Sequence, residues 1–450
     1  MADQIVIIGG VAAGMSAASR ARRIAPEARI VVLERGPAAA YGACGLPAFL
    51  AGQVATLEAL RAHPEDYFRQ HRRLEVRIGC EAVEIQPARR RVRLRDDEGR
   101  EEWIAFDRLV IATGATAPGL RGGDHPLLFR ANTWAQAARL AAHLQAGGAS
   151  RAAVIGGGYI GLEVAEALAY RGLAVQILQA GPTVLPSFDT DMAELVAQAA
   201  RRACPGHGPV ELAVMTRVEK VLFPARGIGL ATHGGEIQAD FAVDATGLVP
   251  NVTLAAAAGI AQGPTGAIAV DERQQTSLPG VFAAGDCAES RQIITGAPAW
   301  IPLGAVANQQ GRVAGQNAAG GPVARYPGVL GSLVLRAFGR EAGRTGLGLA
   351  QAARAGFEAA AERIEANTLA GYRGEQRIAL KWIYDRRSGR GLGAQMVGPP
   401  GTVLARLHTA AAALTAGLKL DQIESLDLAY APDVAPLYDP LQIAAHRARR

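Results

Sequence analysis

The chain has 450 residues, more than one hydrophobic core ordinarily serves, so two or three domains are expected. Hydrophobic residues make up 49% and charged residues 20%, the balance of an ordinary globular protein. The net charge of +6 comes from basic and acidic residues interspersed along the chain, with no basic block beyond the RARR tail; this argues against a nucleic-acid partner and favours an anionic substrate.

No uncharged apolar run reaches the roughly 18 residues of a membrane span. The opening MADQIVIIGG runs straight into an apolar strand without a basic leader or cleavage motif, and Cys44, Cys80, Cys204 and Cys287 form no CxxC pair. These features predict neither a disulfide framework nor a metal site, and they make a reducing, cytoplasmic setting the expectation.

In chain order, Gln4 to Ile8 is short, apolar and β-branched, as a buried parallel strand requires. The turn Gly9-Gly10-Val11-Ala12-Ala13-Gly14 follows, then an amphipathic helix to about Ile24, then a strand Arg29 to Leu33 ending at Glu34. Small residues in such a turn let N–H groups at a helix N-terminus approach a pyrophosphate. Glu34 stands where a carboxylate binds the ribose hydroxyls of an adenosine. Val11 departs from G-x-G-x-x-G at the second glycine.

Ala40-Tyr41-Gly42-Ala43-Cys44-Gly45-Leu46-Pro47 then turns the chain toward a new helix, with Cys44 near its start. There the dipole and free N–H groups would lower the thiol's pKa and make it nucleophilic. An inert, buried cysteine is the ordinary alternative. A C-x-x-x-x-C dithiol is excluded, because Phe49 occupies the second position. Cys287 is expected to serve packing, while Cys80 and Cys204 carry no motif and either could lie near the surface.

The second glycine turn is cleaner. Ala152 to Ile155 leads into Gly156-Gly157-Gly158-Tyr159-Ile160-Gly161, then a helix to about Arg171 and a strand Ala174 to Leu178, the context a dinucleotide site demands. At the ribose position stands Gln179, followed by Ala180-Gly181-Pro182. A carboxylate there would favour NADH and arginines NADPH; the absence of positive charge leans toward NADH. From about Tyr326 no glycine fingerprint appears. Strands from Ile378 to Ile383 and Gly391 to Val397, with an alanine-rich helix near 402–417, predict an α+β unit. The fold expected is α/β, with two Rossmann-like dinucleotide-binding domains and this C-terminal α+β domain.

Leu109-Val110-Ile111-Ala112-Thr113-Gly114-Ala115 and Val243-Asp244-Ala245-Thr246-Gly247 resemble the paired crossover strands of two-dinucleotide flavoproteins. Gly280 to Asp286 resembles their second FAD motif. The Cys44 segment resembles S/T-x-x-x-C-G-L-P-Y of the single-cysteine pyridine nucleotide-disulfide oxidoreductases, which include CoA-disulfide reductases and NADH oxidases. Ile301-Pro302-Leu303-Gly304, Ala307-Asn308 and Gln310-Gly311 extend the resemblance. It implies FAD on the first copy, at Gly9, Gly10, Ala13, Gly14, Glu34 and Arg35, with Thr113, Gly114, Gly285 and the ribityl-binding Asp286. It implies NAD(P)H on the second, at Gly156, Gly158, Ile160, Gly161 and Gln179, with Tyr159 beside the nicotinamide and flavin and Glu163 nearby. Gly247, Pro302 and Ala305 are implied to border the cofactors. The implied domains are FAD-binding (1–115 and 246–325), NAD(P)H-binding (116–245) and dimerisation (326–450), giving a homodimer.

Within that group, peroxidases and water-forming oxidases carry a histidine where this chain has Ala12. The chain is more similar to the CoA-disulfide and persulfide reductase branch. Leu428-Ala429-Tyr430-Ala431-Pro432 resembles A-Y-A-P-P, whose tyrosine reaches the partner subunit's active site, and Tyr384 matches a second tyrosine acting there. On the substrate side the resemblance implies Ser16, Arg20, Arg23 and Ala43; a solvated charged face is the plain alternative for Arg20, Arg22 and Arg23. Ala40, Ala43 and Ala48 stand where the family has polar or aromatic contacts, which leaves room for another disulfide, a persulfide or a polysulfide. No rhodanese-like extension is expected. The implied activity is NAD(P)H- and FAD-dependent reduction of such a substrate through Cys44. An oxygen-using oxidase cycling through a sulfenic acid and a redox-sensing interaction protein are the alternatives.

Overall fold

The apolar run Gln4–Ile8 is the central strand of a five-stranded parallel sheet, flanked by Arg29–Leu33 and Arg108–Ile111. Glu75–Arg77 and Val281–Ala283 form its edges. The computed structural model describes residues 4–202 and 206–450. Helices follow in chain order: α1 (Ala12–Ile24), α2 (Leu46–Leu50), α3 (Glu65–Arg72), α4 (Trp134–Ala146), α5 (Tyr159–Tyr170) and α6 (Thr190–Arg201). The later ones are α7 (Thr253–Ala257), α8 (Gly304–Ala318), α9 (Leu349–Arg354), α10 (Leu404–Thr415), α11 (Leu420–Glu424) and α12 (Pro440–Ala448).

Ile5 and Ile7 pack one face of this sheet against α1 and α8. Val6 and Ile8 pack the other against Ile85, Val92 and Ile104 of an antiparallel sheet. Burial on both faces is why the strand is a continuous apolar run. Helices α1 and α8 meet almost backbone to backbone. A Cβ on Gly311 would lie 2.2 Å from the Ala13 carbonyl oxygen, and one on Gly315 2.2 Å from that of Ala17. Small residues on both helices are the price of this close approach.

The second glycine turn sits on its own parallel sheet, in the order Val210–Ala213, Ala174–Leu178, Arg151–Ile155, Phe241–Asp244, Leu128–Phe129. The C-terminal strands form an antiparallel sheet ordered Leu333–Ala337, Arg340–Gly346, Gly391–Gly398, Arg377–Asp385, Ala359–Asn367. Its core, with Leu380, Trp382 and Met396, is covered by α10 and α12 through Leu407, Leu414 and Leu441. The helix expected near 402–417 is α10, which ends before Gly417 at φ +70°.

The last two units are tied together. Lys381 Nζ pairs with Asp189 Oδ2 at 2.9 Å and Asp191 Oδ1 at 2.8 Å, and Glu166 Oε1 on α5 accepts from the Phe338 N–H at 2.6 Å. Cys287 is fully buried, its thiol directed at the Ile111 and Ala284 carbonyl oxygens, 3.4 Å each. Cys80 is buried too, facing the same core, and is not near the surface as its sequence context allowed. Cys204 lies outside the described residues. No helix among the described residues is long and apolar enough to cross a membrane, and they contain no cluster suited to hold a metal.

Candidate active site

Both glycine turns have the geometry of dinucleotide cradles. Gly9 and Gly156 adopt φ of +104° and +106°, and a Cβ on either would collide with the carbonyl of the neighbouring strand, at Ala112 and Ala245. Glu34 braces the first turn, accepting from the Gly10 N–H and the Gly36 N–H at 2.7 Å each. Each carboxylate oxygen retains a lone pair for a ribose hydroxyl. Gln179 repeats the brace in the second turn, its Oε1 accepting from the Gly157 N–H at 2.9 Å. A Cβ on Gly158 would meet nothing within 4 Å, so packing does not demand glycine there, whereas close approach by a pyrophosphate would.

Val281–Ala283 delivers Gly285 and Asp286 to the end of the first sheet. The Gly285 N–H donates to Gln310 Oε1 at 2.8 Å, which fastens that turn to α8. The Asp286 carboxylate has no hydrogen-bond partner among the described residues, and burial pushes its pKa up to about 6. An unpartnered, half-buried carboxylate suits a hydroxyl-rich ligand chain. Thr113 and Asn251 exchange hydrogen bonds, Thr113 Oγ1 to the Asn251 carbonyl at 2.7 Å and Asn251 Nδ2 to the Thr113 carbonyl at 2.8 Å. Gly114 and Gly247 take positive φ in the two crossovers, Ile160 is half-buried in the first turn of α5, and Arg35 is exposed beside Glu34.

Cys44 occupies a single 3₁₀ turn, Ala43–Gly45, that runs directly into α2. Pro47 suits the first turn of α2, where its missing N–H would have no partner, and fully buried Leu46 and Leu50 anchor the helix. Arg171, just beyond α5, donates through Nε to the Leu50 carbonyl oxygen at the far end of α2. Cys44 Sγ lies 3.9 Å from the place a Cβ would take on Gly304, the first residue of α8. Ala305 is exposed beside it.

The thiol's pKa is pushed up, first by burial and then by the carboxylates of Glu163 and Asp286. This is opposite to the direction expected from sequence. α2 has only five residues and a correspondingly small dipole. The sulfur touches solvent, yet it lies in a concavity whose walls withhold much of its hydration, so exposure and desolvation coexist. The Cys44 backbone N–H, close to its own sulfur, pulls the other way and favours the anion. Glu163 is raised to about 7 by burial and by Glu166. Tyr159, whose hydroxyl donates to the Pro302 carbonyl at 3.4 Å, is raised to about 12 by burial and then by Asp286, Cys44 and Glu163. These four groups therefore share one electrostatic site.

A cavity of about 740 Å³ opens beside Gly42. Helix α8 presents Asn308 and Arg312 to it, one and two turns beyond Gly304, so the lining leads along one helix face toward Cys44. Helix α1 presents Ser16, Arg20 and Arg23, and Asn308 Nδ2 donates to Ser16 Oγ at 2.8 Å. Arg61, His63 and Arg72 close the other side. Five guanidinium groups line the cavity; Arg61 is already paired with Glu65 Oε2 at 2.9 Å, and the other four suit a multiply charged anion.

Ser16, Arg20 and Arg23 are thus brought together. Ala43 instead packs with Leu46 and Trp134. Arg22 faces away from the cavity and donates to the Pro26 and Ala28 carbonyls at 2.7 and 2.8 Å, closing the end of α1. Tyr384 packs against the C-terminal core and Tyr430 is 49% exposed; neither lines this cavity within one chain. Arg61, His63, Arg72 and Arg312 escaped sequence reasoning. The 61–72 segment meets α1 only through folding, whereas the i, i+4, i+8 series Gly304, Asn308, Arg312 could have disclosed Arg312.

Residues 3–311 match the pyridine nucleotide-disulphide oxidoreductase family, and residues 337–438 match the dimerisation domain of that name. The chain is 38% identical to the CoA-dependent NAD(P)H sulfur oxidoreductase of Pyrococcus furiosus, over 98% of each chain. It is 37% identical to the NAD(P)H coenzyme A polysulfide/persulfide reductase of Pyrococcus horikoshii, over 99% of this chain and 98% of the other. Its structure superimposes on the NAD-dependent persulfide reductase from A. fulgidus with a TM-score of 0.94 and 36% identity, covering 99% of this chain and 83% of that one. With two braced glycine turns, a cysteine between them and this breadth of similarity, the chain belongs to the pyridine nucleotide-disulphide oxidoreductase family.

Proposed function

We propose that this protein is an FAD-dependent NAD(P)H:disulfide oxidoreductase that reduces a small-thiol disulfide such as CoA disulfide, or a persulfide or polysulfide, through Cys44. The observation that carries the reading is the arginine-lined cavity whose α8 wall points toward a solvent-reached thiol one turn away at Gly304. Relatives named for CoA-dependent sulfur or persulfide reduction support it. The first turn, Glu34 and Asp286 would hold FAD, and the second turn and Gln179 would hold the nicotinamide nucleotide; together these groups would supply the two electrons that split the Cys44–substrate disulfide, releasing the second thiol and regenerating the Cys44 thiolate.

The chain's own residues do the rest. Arg20, Arg23, Arg72 and Arg312 draw the anionic substrate in and orient it. The Cys44 thiolate attacks one sulfur of the disulfide; a Cys44–substrate sulfur bond forms, the substrate S–S bond breaks, and the departing thiolate takes up a proton. Tyr159, fixed at the first residue of α5, screens the nicotinamide side. The division into residues 1–115 with 246–325, 116–245 and 326–450 is part of this reading. So is a cytoplasmic homodimer in which Tyr384 and Tyr430 of each chain serve the partner's cavity as hydrogen-bond donors. Tyr430, Leu437 and Tyr438 are large exposed side chains that such pairing would cover.

The test is anaerobic NADH and NADPH oxidation by the FAD-loaded protein with CoA disulfide as acceptor. Turnover that disappears in Cys44→Ser, while the flavin is still reduced, is the expected outcome. Undiminished disulfide reduction by Cys44→Ser would refute the reading.

A further inference from the structure

We propose that Gln179 and Arg217 give the second glycine turn a seat for the 2′-phosphate of NADPH, so that the protein accepts either nicotinamide nucleotide. The inference rests on the reading of that turn as the nicotinamide site, and it assigns the residues that decide which nucleotide enters.

The two turns differ in what their bracing residue leaves free. Glu34 accepts at both carboxylate oxygens, from the Gly10 N–H and from the Gly36 N–H two residues on, at 2.7 Å each. Gln179 Oε1 accepts from the Gly157 N–H at 2.9 Å, and because a donor must meet oxygen, this contact fixes which way the amide is turned. Its other end, Nε2, faces Gly181, where a Cβ would lie 3.1 Å from it. An amide nitrogen and a backbone N–H are both donors, so the counterpart of the Glu34–Gly36 bond cannot form. Neither Nε2 nor the Gly181 N–H has a hydrogen-bond partner among the described residues. Two spare donors side by side suit an anion, which a carboxylate at this position would repel.

The fold adds a cation that the sequence neighbours of Gln179 lack. After the strand Val210–Ala213 the chain turns at Val214 and Met215, the latter at φ +54°, and crosses the loop 179–181. Three backbone bonds of 2.9 Å hold it there: the Gln179 N–H to the Ala213 carbonyl, the Thr216 N–H to the Gln179 carbonyl, and the Met215 N–H to the Gly181 carbonyl. Arg217 follows at once. It is exposed, and its guanidinium has no ion pair or hydrogen bond among the described residues. A free guanidinium on a long stem, one residue from a backbone bond to Gln179, can swing over the spare donors and close on a phosphate. The ribose of NADH needs neither the cation nor both donors, because a hydroxyl can accept from Nε2 alone. The same loop thus serves both nucleotides.

The experiment is calorimetric titration of the FAD-loaded protein with ADP-ribose and with 2′-phospho-ADP-ribose, neither of which transfers hydride. Both should bind the unmutated protein. Arg217→Met should weaken the phosphorylated probe about tenfold, the measure of one charge-assisted contact, and leave ADP-ribose unchanged. Arg217→Lys should recover part of that loss, and high salt should shrink it. Gln179→Glu, which sets a carboxylate against the phosphate, should lose the phosphorylated probe while ADP-ribose still binds. Binding of ADP-ribose alone by the unmutated protein would overturn the seat and leave the turn's assignment standing. So would a phosphorylated probe that loses nothing in Arg217→Met, or loses no more than ADP-ribose does. Failure of both probes on the unmutated protein would overturn the assignment as well.

Discussion

Gly315→Ala tests whether the contact between α1 and α8 sets the geometry of the site. The added Cβ would lie 2.2 Å from the Ala17 carbonyl oxygen and 2.7 Å from the Ala17 Cα. That is about 1 Å short of ordinary van der Waals separation, and both obstructing atoms are backbone, so no side chain can turn aside. Overpacking of this kind costs about 1–3 kcal/mol. Alanine's better helix propensity offsets about 0.5–1 kcal/mol of it. The centres of these ranges leave a net loss of about 1 kcal/mol, a fall in Tm of roughly 2–4 °C for domains of this size. Because α1 begins in the first glycine turn and α8 begins at Gly304, beside Cys44, separating them should also weaken FAD. The assay is thermal unfolding followed by flavin fluorescence, paired with an FAD titration of the apoprotein. An unchanged or raised Tm with unchanged FAD affinity would refute the argument.

Glu163→Gln removes one of the carboxylates that raise the Cys44 pKa, so the pH profile of Cys44 alkylation should move to lower pH; an unmoved profile would dismiss the coupling. Glu163 itself is raised from 4.5 to about 7, so its contribution to stability is full below pH 4.5 and lost as pH rises through 7. The fall in Tm between pH 5 and 8 should accordingly flatten in the same variant. Arg171→Met cuts the bond to the end of α2 and should cost about 1 kcal/mol, discounted because Arg171 is exposed. It should lower kcat more than it raises KM, with Arg171→Lys recovering part; a change in Tm alone would reduce Arg171 to a structural tie. Arg312→Met should raise KM for CoA disulfide several-fold at low salt and less at high salt, and a salt-independent effect would count against an electrostatic role.

Much of the frame was readable along the chain. Gln4–Ile8 and Arg29–Leu33 stand where their apolar runs end, because a strand buried on both faces tolerates little polar interruption, and Ala174–Leu178 carries its one polar residue, Gln176, at a half-buried position. Both glycine turns were readable for a similar reason: their backbone conformations and close contacts admit few other residues. The brace at Gln179 follows the brace at Glu34, since both close the second strand of the same supersecondary unit.

The state of Cys44 was not readable in this way. A local rule put it at a helix start and lowered its pKa, but the surrounding charges come from Glu163 and Asp286, which are more than a hundred residues distant in the chain. The cavity was only half visible. Arg20 and Arg23 announced themselves on α1, but nothing near them in sequence points to His63, Arg72 or Arg312.

The sequence by itself determined the elements, the two dinucleotide turns and the single cysteine, because each depends on contacts within about thirty residues of one βαβ unit. Only the tertiary structure decided the electrostatics of the thiol and the wall of arginines. Those depend on which distant segments fold against α1 and α8, and a Coulomb interaction depends on distance in space and not along the chain.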